Sequence, residues 1–228
     1  LPGCYQVSDR RREEAPVPPR SRYGLPDDAF VYCSFNNNHK FTPEMFGAWM
    51  RILGAVPGSV LWLLADNDTA RAHMVAAAQA AGIAPERLVF APRVPVAEHL
   101  ARHRLADLFL DTLPYNAHTT ASDALWAGLP VLTCMGEAFA SRVAASLLTA
   151  VGLADLIAPD RSAYERLAVD LATAPDRLGV IRRRLADKRL TMPLFDTALS
   201  TRHIEAAWVA MMDRHRRGLA PEHLQVTG

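Results

Sequence analysis

From residue 30 onward, short apolar runs alternate with segments whose apolar positions recur at helical spacing. Residues 30–34, 59–65, 88–91, 107–111, 130–134 and 156–158 read as strands, apolar on both faces. The intervening segments read as helices. Residues 43–56 open with Pro43 and carry Met45, Phe46, Trp49, Ile52, Leu53 and Val56 on one face. Residues 68–81 are Ala-rich and stop at Gly82, 96–104 form a short helix, 120–127 stop at Gly128, and 139–150 end before Gly152. Apolar strands alternating with helices predict βαβ units and hence an α/β, Rossmann-like, doubly wound parallel sheet. From residue 161 no strand pattern appears, and 162–173, 175–187 and 197–216 read as helices. The division expected is a connector over 1–28, a nucleotide-sugar-binding domain over 29–160, and C-terminal helices over 161–228 that pack on that domain or on a partner half. The stripe of Trp208, Met211 and Met212 is expected to face its own domain.

Composition narrows the function. Charged residues make up 21% of the chain and the net charge is +1, so neither nucleic acid nor an anionic membrane is the expected partner. No apolar run reaches the length of a membrane span, and no secretory signal pattern is present. Cys4, Cys33 and Cys134 are few, odd in number and far apart, which fits reduced thiols in a cytoplasmic protein. Residues 1–28 are rich in Pro and charge and read as an extended connector; with no Met at the start, an upstream region is expected. Dinucleotide-binding, P-loop, HExxH and GxSxG signatures are all missing. His99 and His103 share a helix face, but with no third ligand nearby they make a weak metal site.

The chemistry concentrates in residues 106–128. A buried strand ends at Asp111, a loop holds Pro114, Asn116 and His118, and a helix starts at Thr119-Thr120. Ligands of open α/β sheets bind beyond the carboxyl ends of the strands. A helix N-terminus there offers free N–H groups and partial positive charge to a diphosphate. Thr119 and Thr120 add hydroxyls, and Asp123, one turn in, can accept from ribose hydroxyls. The same Thr120-x-x-Asp123 spacing is also a capping box, which needs no ligand, and His118 can equally be a loop histidine bonded to a nearby carbonyl.

The run Asn116-Ala-His118-Thr119-Thr120-Ala-Ser-Asp123-Ala-Leu-Trp126-Ala-Gly128-Leu-Pro130 resembles the nucleotide-binding segment of the O-GlcNAc transferase family. So do Gly136-Glu137-Ala-Phe-Ala-Ser141-Arg142-Val143-Ala144, Pro57-Gly-Ser59-Val-Leu-Trp62-Leu-Leu64 and Tyr32-Cys33-Ser-Phe35-Asn36. The likeness runs from about Phe30 to Ala158, is weaker in the connector and the final helix, and looks nearest to bacterial members.

The resemblance implies the second, donor-binding domain of a GT-B glycosyltransferase. Carried over residue by residue, Lys40 contacts the diphosphate and stabilises the leaving group, with Asn37 close to it. His99 stacks on uracil, and Val94 gives a backbone contact to the base edge. His118, Thr119 and Thr120 form the phosphate loop, and Asp123 binds ribose. Val96 stands where animal members have a Lys near the uracil, and Asn37 is one methylene shorter than the Gln often found there. The implied reaction is metal-independent inverting transfer of N-acetylglucosamine from UDP-GlcNAc to a protein Ser or Thr, with no cofactor. The general base, the tetratricopeptide repeats and the acceptor groove are expected in an upstream half. Two alternatives stay open, namely a glycosyltransferase with another UDP-sugar or acceptor, such as protein Asn glucosylation, and a non-catalytic UDP-sugar-binding domain.

Overall fold

In the computed structural model, residues 1–6, 8–64, 67–188 and 190–226 are described. Strands β1 (Val31–Ser34), β2 (Val60–Leu64), β3 (Leu88–Ala91), β4 (Leu108–Leu110), β5 (Val131–Cys134) and β6 (Ile157–Ala158) form one sheet in the order β3-β2-β1-β4-β5-β6. All neighbours are parallel. The central strands β1, β2 and β4 are buried along their whole length, so they read as unbroken apolar runs. The last residue assigned to the second strand from sequence, Ala65, lies outside the described residues.

Helices α1 (Pro43–Ala55), α2 (Asp68–Ala80), α3 (Val96–Arg102), α4 (Thr119–Trp126) and α5 (Val143–Ala150) connect the strands. α1 starts cleanly because Thr42 accepts from the Met45 N–H at 3.2 Å and Pro43 takes the first helical position. Two helices expected to be continuous are not. α3 tightens into a 3-10 turn over His103–Leu105, and a 3-10 turn over Phe139–Ser141 breaks at Arg142 before α5. Right-handed crossovers put α1 and α2 on one face of the sheet and α3, α4 and α5 on the other.

Helices α6 (Arg161–Thr173), α7 (Pro175–Lys188) and α8 (Thr197–Arg216) follow. α6 returns to the sheet, where Tyr164 is wholly buried. Its hydroxyl accepts from the Trp49 indole at 3.1 Å and donates to the Asp111 carbonyl at 3.0 Å. From α7, Ile181 and Leu185 join the same core. α8 behaves otherwise. Only His203 is buried along it, and Trp208, Val209, Met211 and Met212 are 61%, 70%, 47% and 49% exposed. The expectation that this stripe covers its own domain is therefore corrected. The stripe is apolar, yet among the described residues it stays largely exposed. Among the described residues no helix is long and apolar enough to cross a membrane.

Candidate functional site

The strand order reverses between β1 and β4, where the loops after the two strands diverge and leave a crevice. A cleft of about 330 Å³ opens there, lined by the loop after β1, the turn before α3, α3 itself and the start of α4. Asn37, Lys40, Val94, His99, Thr119, Thr120 and Asp123 all line it. His118 is not part of that lining and sits at the N-cap of α4.

Asp111 organises the loop between β4 and α4 from beneath. Its buried carboxylate accepts from the backbone N–H groups of Thr112 (2.8 Å) and Ala117 (2.6 Å) and from the Thr133 hydroxyl (2.6 Å). Burial pushes its pKa up to about 6 against the pull of those donors. The Asn36 amide donates to Thr112 Oγ1 at 2.9 Å, and its oxygen accepts from Thr120 Oγ1 at 3.2 Å, tying the β1 loop to α4. The loop at 136–142 supports the arrangement from the other side, because Ala140 O accepts from the Asn116 N–H at 2.8 Å.

α4 begins at Thr119, one residue before the start read from sequence. Its N-cap His118 makes no side-chain cap bond, so the capping-box alternative is not what forms. The Thr120 hydroxyl turns to Asn36, and Asp123 pairs with Arg12. The first turn of α4 thus lines the cleft through Thr119 and Thr120 with no side-chain cap from its N-cap residue. His118 Nδ1 lies 3.1 Å from the Tyr5 hydroxyl and Nε2 3.5 Å from Ala140 O, and burial lowers its pKa.

Lys40 closes the opposite side. Its ammonium donates to Asn116 O at 2.9 Å and lies 4.2 Å from the centre of the Tyr115 ring. Burial lowers its pKa, opposed by the Asp111 charge. Asn37 Oδ1 accepts from Arg93 at 3.2 Å.

At the far end, burial and the nearby cations Arg102 and Arg12 lower the His99 pKa to about 4. Arg102 donates to His99 Nδ1 from Nε (3.1 Å) and Nη2 (2.7 Å), which leaves the imidazole proton on Nε2. A neutral ring edge-on to His103 and tilted against Phe35 is held in one orientation. His103 Nδ1 is itself 2.6 Å from His99 O.

Sequence reasoning passed over Arg102, Asn36 and Arg12. Arg102 is 1% exposed, donates to Pro92 O at 2.7 Å, and lies over the Phe35 ring at 4.5 Å. Its place three residues after His99, on the same helix face, was the available signal. Arg12 gave none, since it is 111 residues from its partner.

The comparisons agree with one another. Residues 6–204 match the profile described as Glycosyl transferase family 41. The chain is 39% identical over 233 residues to a probable UDP-N-acetylglucosamine–peptide N-acetylglucosaminyltransferase SEC of Arabidopsis thaliana, covering 99% of this chain and 24% of that protein. It is 38% identical over 205 residues to a UDP-N-acetylglucosamine–peptide N-acetylglucosaminyltransferase of Caenorhabditis elegans, covering 90% of this chain and 18% of that one. Among solved structures, a mutant O-GlcNAc transferase of Thermobaculum terrenum superposes with a TM-score of 0.76 at 30% identity, over 86% of this chain and 39% of that chain. The chain thus spans 24% or less of the length of the two relatives.

Proposed function

The chain belongs to glycosyl transferase family 41, and from that membership we propose that it is the donor-binding part of an inverting glycosyltransferase. The reaction moves N-acetylglucosamine from UDP-GlcNAc to protein Ser or Thr hydroxyls. The observation that carries this reading is the convergence of Lys40, His99, Thr119, Thr120 and Asp123 on one cleft at the switch point of the sheet.

In this reading the uracil lies on the neutral His99 ring, with Val94 backbone at its edge. Asp123 accepts from the ribose hydroxyls. The diphosphate meets the N-terminus of α4 and the hydroxyls of Thr119 and Thr120. Lys40 exchanges its bond to Asn116 O for a phosphate oxygen. During transfer the acceptor oxygen bonds to the sugar C1, the C1–O bond to UDP breaks, and its electron pair stays on the β-phosphate. Lys40 and the α4 dipole then stabilise charge that grows only in the transition state. That positive charge takes the place of a metal ion. The acceptor proton leaves to a base outside this chain, and an upstream half with tetratricopeptide repeats supplies it along with the acceptor groove. A cytoplasmic setting is supported by the free cysteines Cys4, Cys33 and Cys134.

Calorimetric titration with UDP tests the donor site, with ADP as the wrong-base control and EDTA present to remove metals. Saturable UDP binding is expected, weakened about tenfold or more in Lys40→Ala and absent with ADP. A folded chain that binds neither nucleotide, alone or with the upstream half, would refute the donor reading. A panel of UDP-sugars given to the whole protein then separates N-acetylglucosamine from other donors.

A further inference from the structure

Among the described residues of 1–15 there is no regular element, yet the segment is fastened along α3 and α4. The Ser8 hydroxyl is buried against that of Ser122 at 2.6 Å. Glu14 pairs with Arg104, and the Ala15 N–H donates to Ala97 O at 3.1 Å. Between these anchors Arg12 bonds Asp123 Oδ1. The two side chains are 17% and 11% exposed, so the pair is largely withdrawn from water, where a single partner left alone is costly.

The geometry divides the carboxylate. Oδ1 is held by Arg12, while Oδ2 is turned toward His99, whose Nε2 stands 3.9 Å away, beyond hydrogen-bond reach. Asp123 lines the cleft and Arg12 does not. Arg12 therefore reaches the carboxylate from outside the space a ligand would fill. A pair of ribose hydroxyls needs acceptors only, which an ionised carboxylate provides and a protonated one provides poorly. Burial pushes the Asp123 pKa up and Arg12 opposes it.

We propose that Arg12 is a positioning residue for ribose recognition, fixing one oxygen of Asp123 so that the ionised carboxylate presents the other to the nucleotide. The inference rests on the donor reading above. It makes the segment before the first strand part of the nucleotide site.

The test titrates this chain, as wild type, Arg12→Gln and Arg12→Lys, with UDP and with 2′,3′-dideoxy-UDP. Thermal melts of all three establish that they are folded. Arg12→Gln should weaken UDP about tenfold and leave the dideoxy analogue within twofold of wild type, and Arg12→Lys should recover part of the UDP loss. Equal weakening of both nucleotides would assign Arg12 a general structural role and overturn the proposal. Unchanged or tighter UDP binding by Arg12→Gln would overturn it too, the latter by making Arg12 a competitor of ribose. A folded wild type that ignores UDP, both alone and with the upstream half, sinks the donor reading and this inference together; wild-type binding with an unaffected Arg12→Gln sinks the inference alone.

Discussion

Asp111, just after β4, is a buried carboxyl group with three strong donors aimed at it. Asp111→Ala strands those donors in the core, at a cost of about 3 kcal/mol. Asp111→Asn keeps an acceptor for the two backbone N–H groups and should cost about 1 kcal/mol. Urea unfolding of the two variants checks the ranking, and under the donor proposal UDP affinity should fall in the same order because the loop between β4 and α4 hangs on this residue. Acid behaviour involves a second residue. The His99 pKa is about 4 against an ordinary 6.5, so the unfolded chain binds the proton more readily and stability falls as pH drops through that window. Asp111 works the other way. With a folded value of about 6 against 3.8, its contribution to stability grows as pH falls from about 6. The two windows overlap with opposite signs, so the histidine effect is read as a difference between proteins. Between about pH 7 and 4, wild type should lose roughly 3 kcal/mol more than His99→Gln. Equal losses in the two would place the His99 proton elsewhere.

Elements show where sequence and structure part. The strands were legible because a strand buried on both faces in a parallel sheet is an apolar run and little else competes for that pattern, as in β2. The cleft residues were legible because the switch-point rule and the resemblance pointed to the same loops. Arg102 was not, because an arginine in a helical pattern reads as solvated until its burial is seen. The loop between β5 and α5 also needed coordinates. Gly136 looks like an ordinary loop glycine, yet a Cβ there would stand 2.5 Å from Ser141 Oγ and 2.8 Å from Ser141 Cβ. Ser141 is buried and bonded to Ala138 O at 2.8 Å, so it cannot step aside freely. Gly136→Ala must then shift the 136–142 loop and loosen the Asn116–Ala140 tie. It should cost about 1–3 kcal/mol in unfolding experiments and weaken UDP, with Ser141→Gly in the same chain recovering much of both. A neutral Gly136→Ala would mean that the loop does not support the proposed phosphate site.

At the scale of the whole molecule, α8 is a long helix with almost nothing to hold. Its sequence stripe is the same whether it faces its own domain or another body, which is why the sequence could not decide between them. Trp208, Val209, Met211 and Met212 expose a contiguous apolar face of the kind that marks a docking site. The relatives are about four or more times longer than this chain, which leaves ample protein to cover it. The proposal that an upstream half completes the enzyme therefore makes a specific demand on Trp208. In this chain alone its fluorescence should be red-shifted and quenched readily by acrylamide. In a protein that includes the upstream half it should shift to the blue and resist quenching. The other tryptophans, Trp49, Trp62 and Trp126, are buried, so a Trp208→Phe control isolates the signal. Trp208→Asp in the longer protein should reduce transfer to peptide while leaving UDP binding to this chain within twofold of wild type. That separation follows because no residue of α8 lines the proposed nucleotide cleft. If Trp208 stayed equally quenchable in both proteins, α8 would not be the contact between the halves, and the apolar face would have to belong to some other partner.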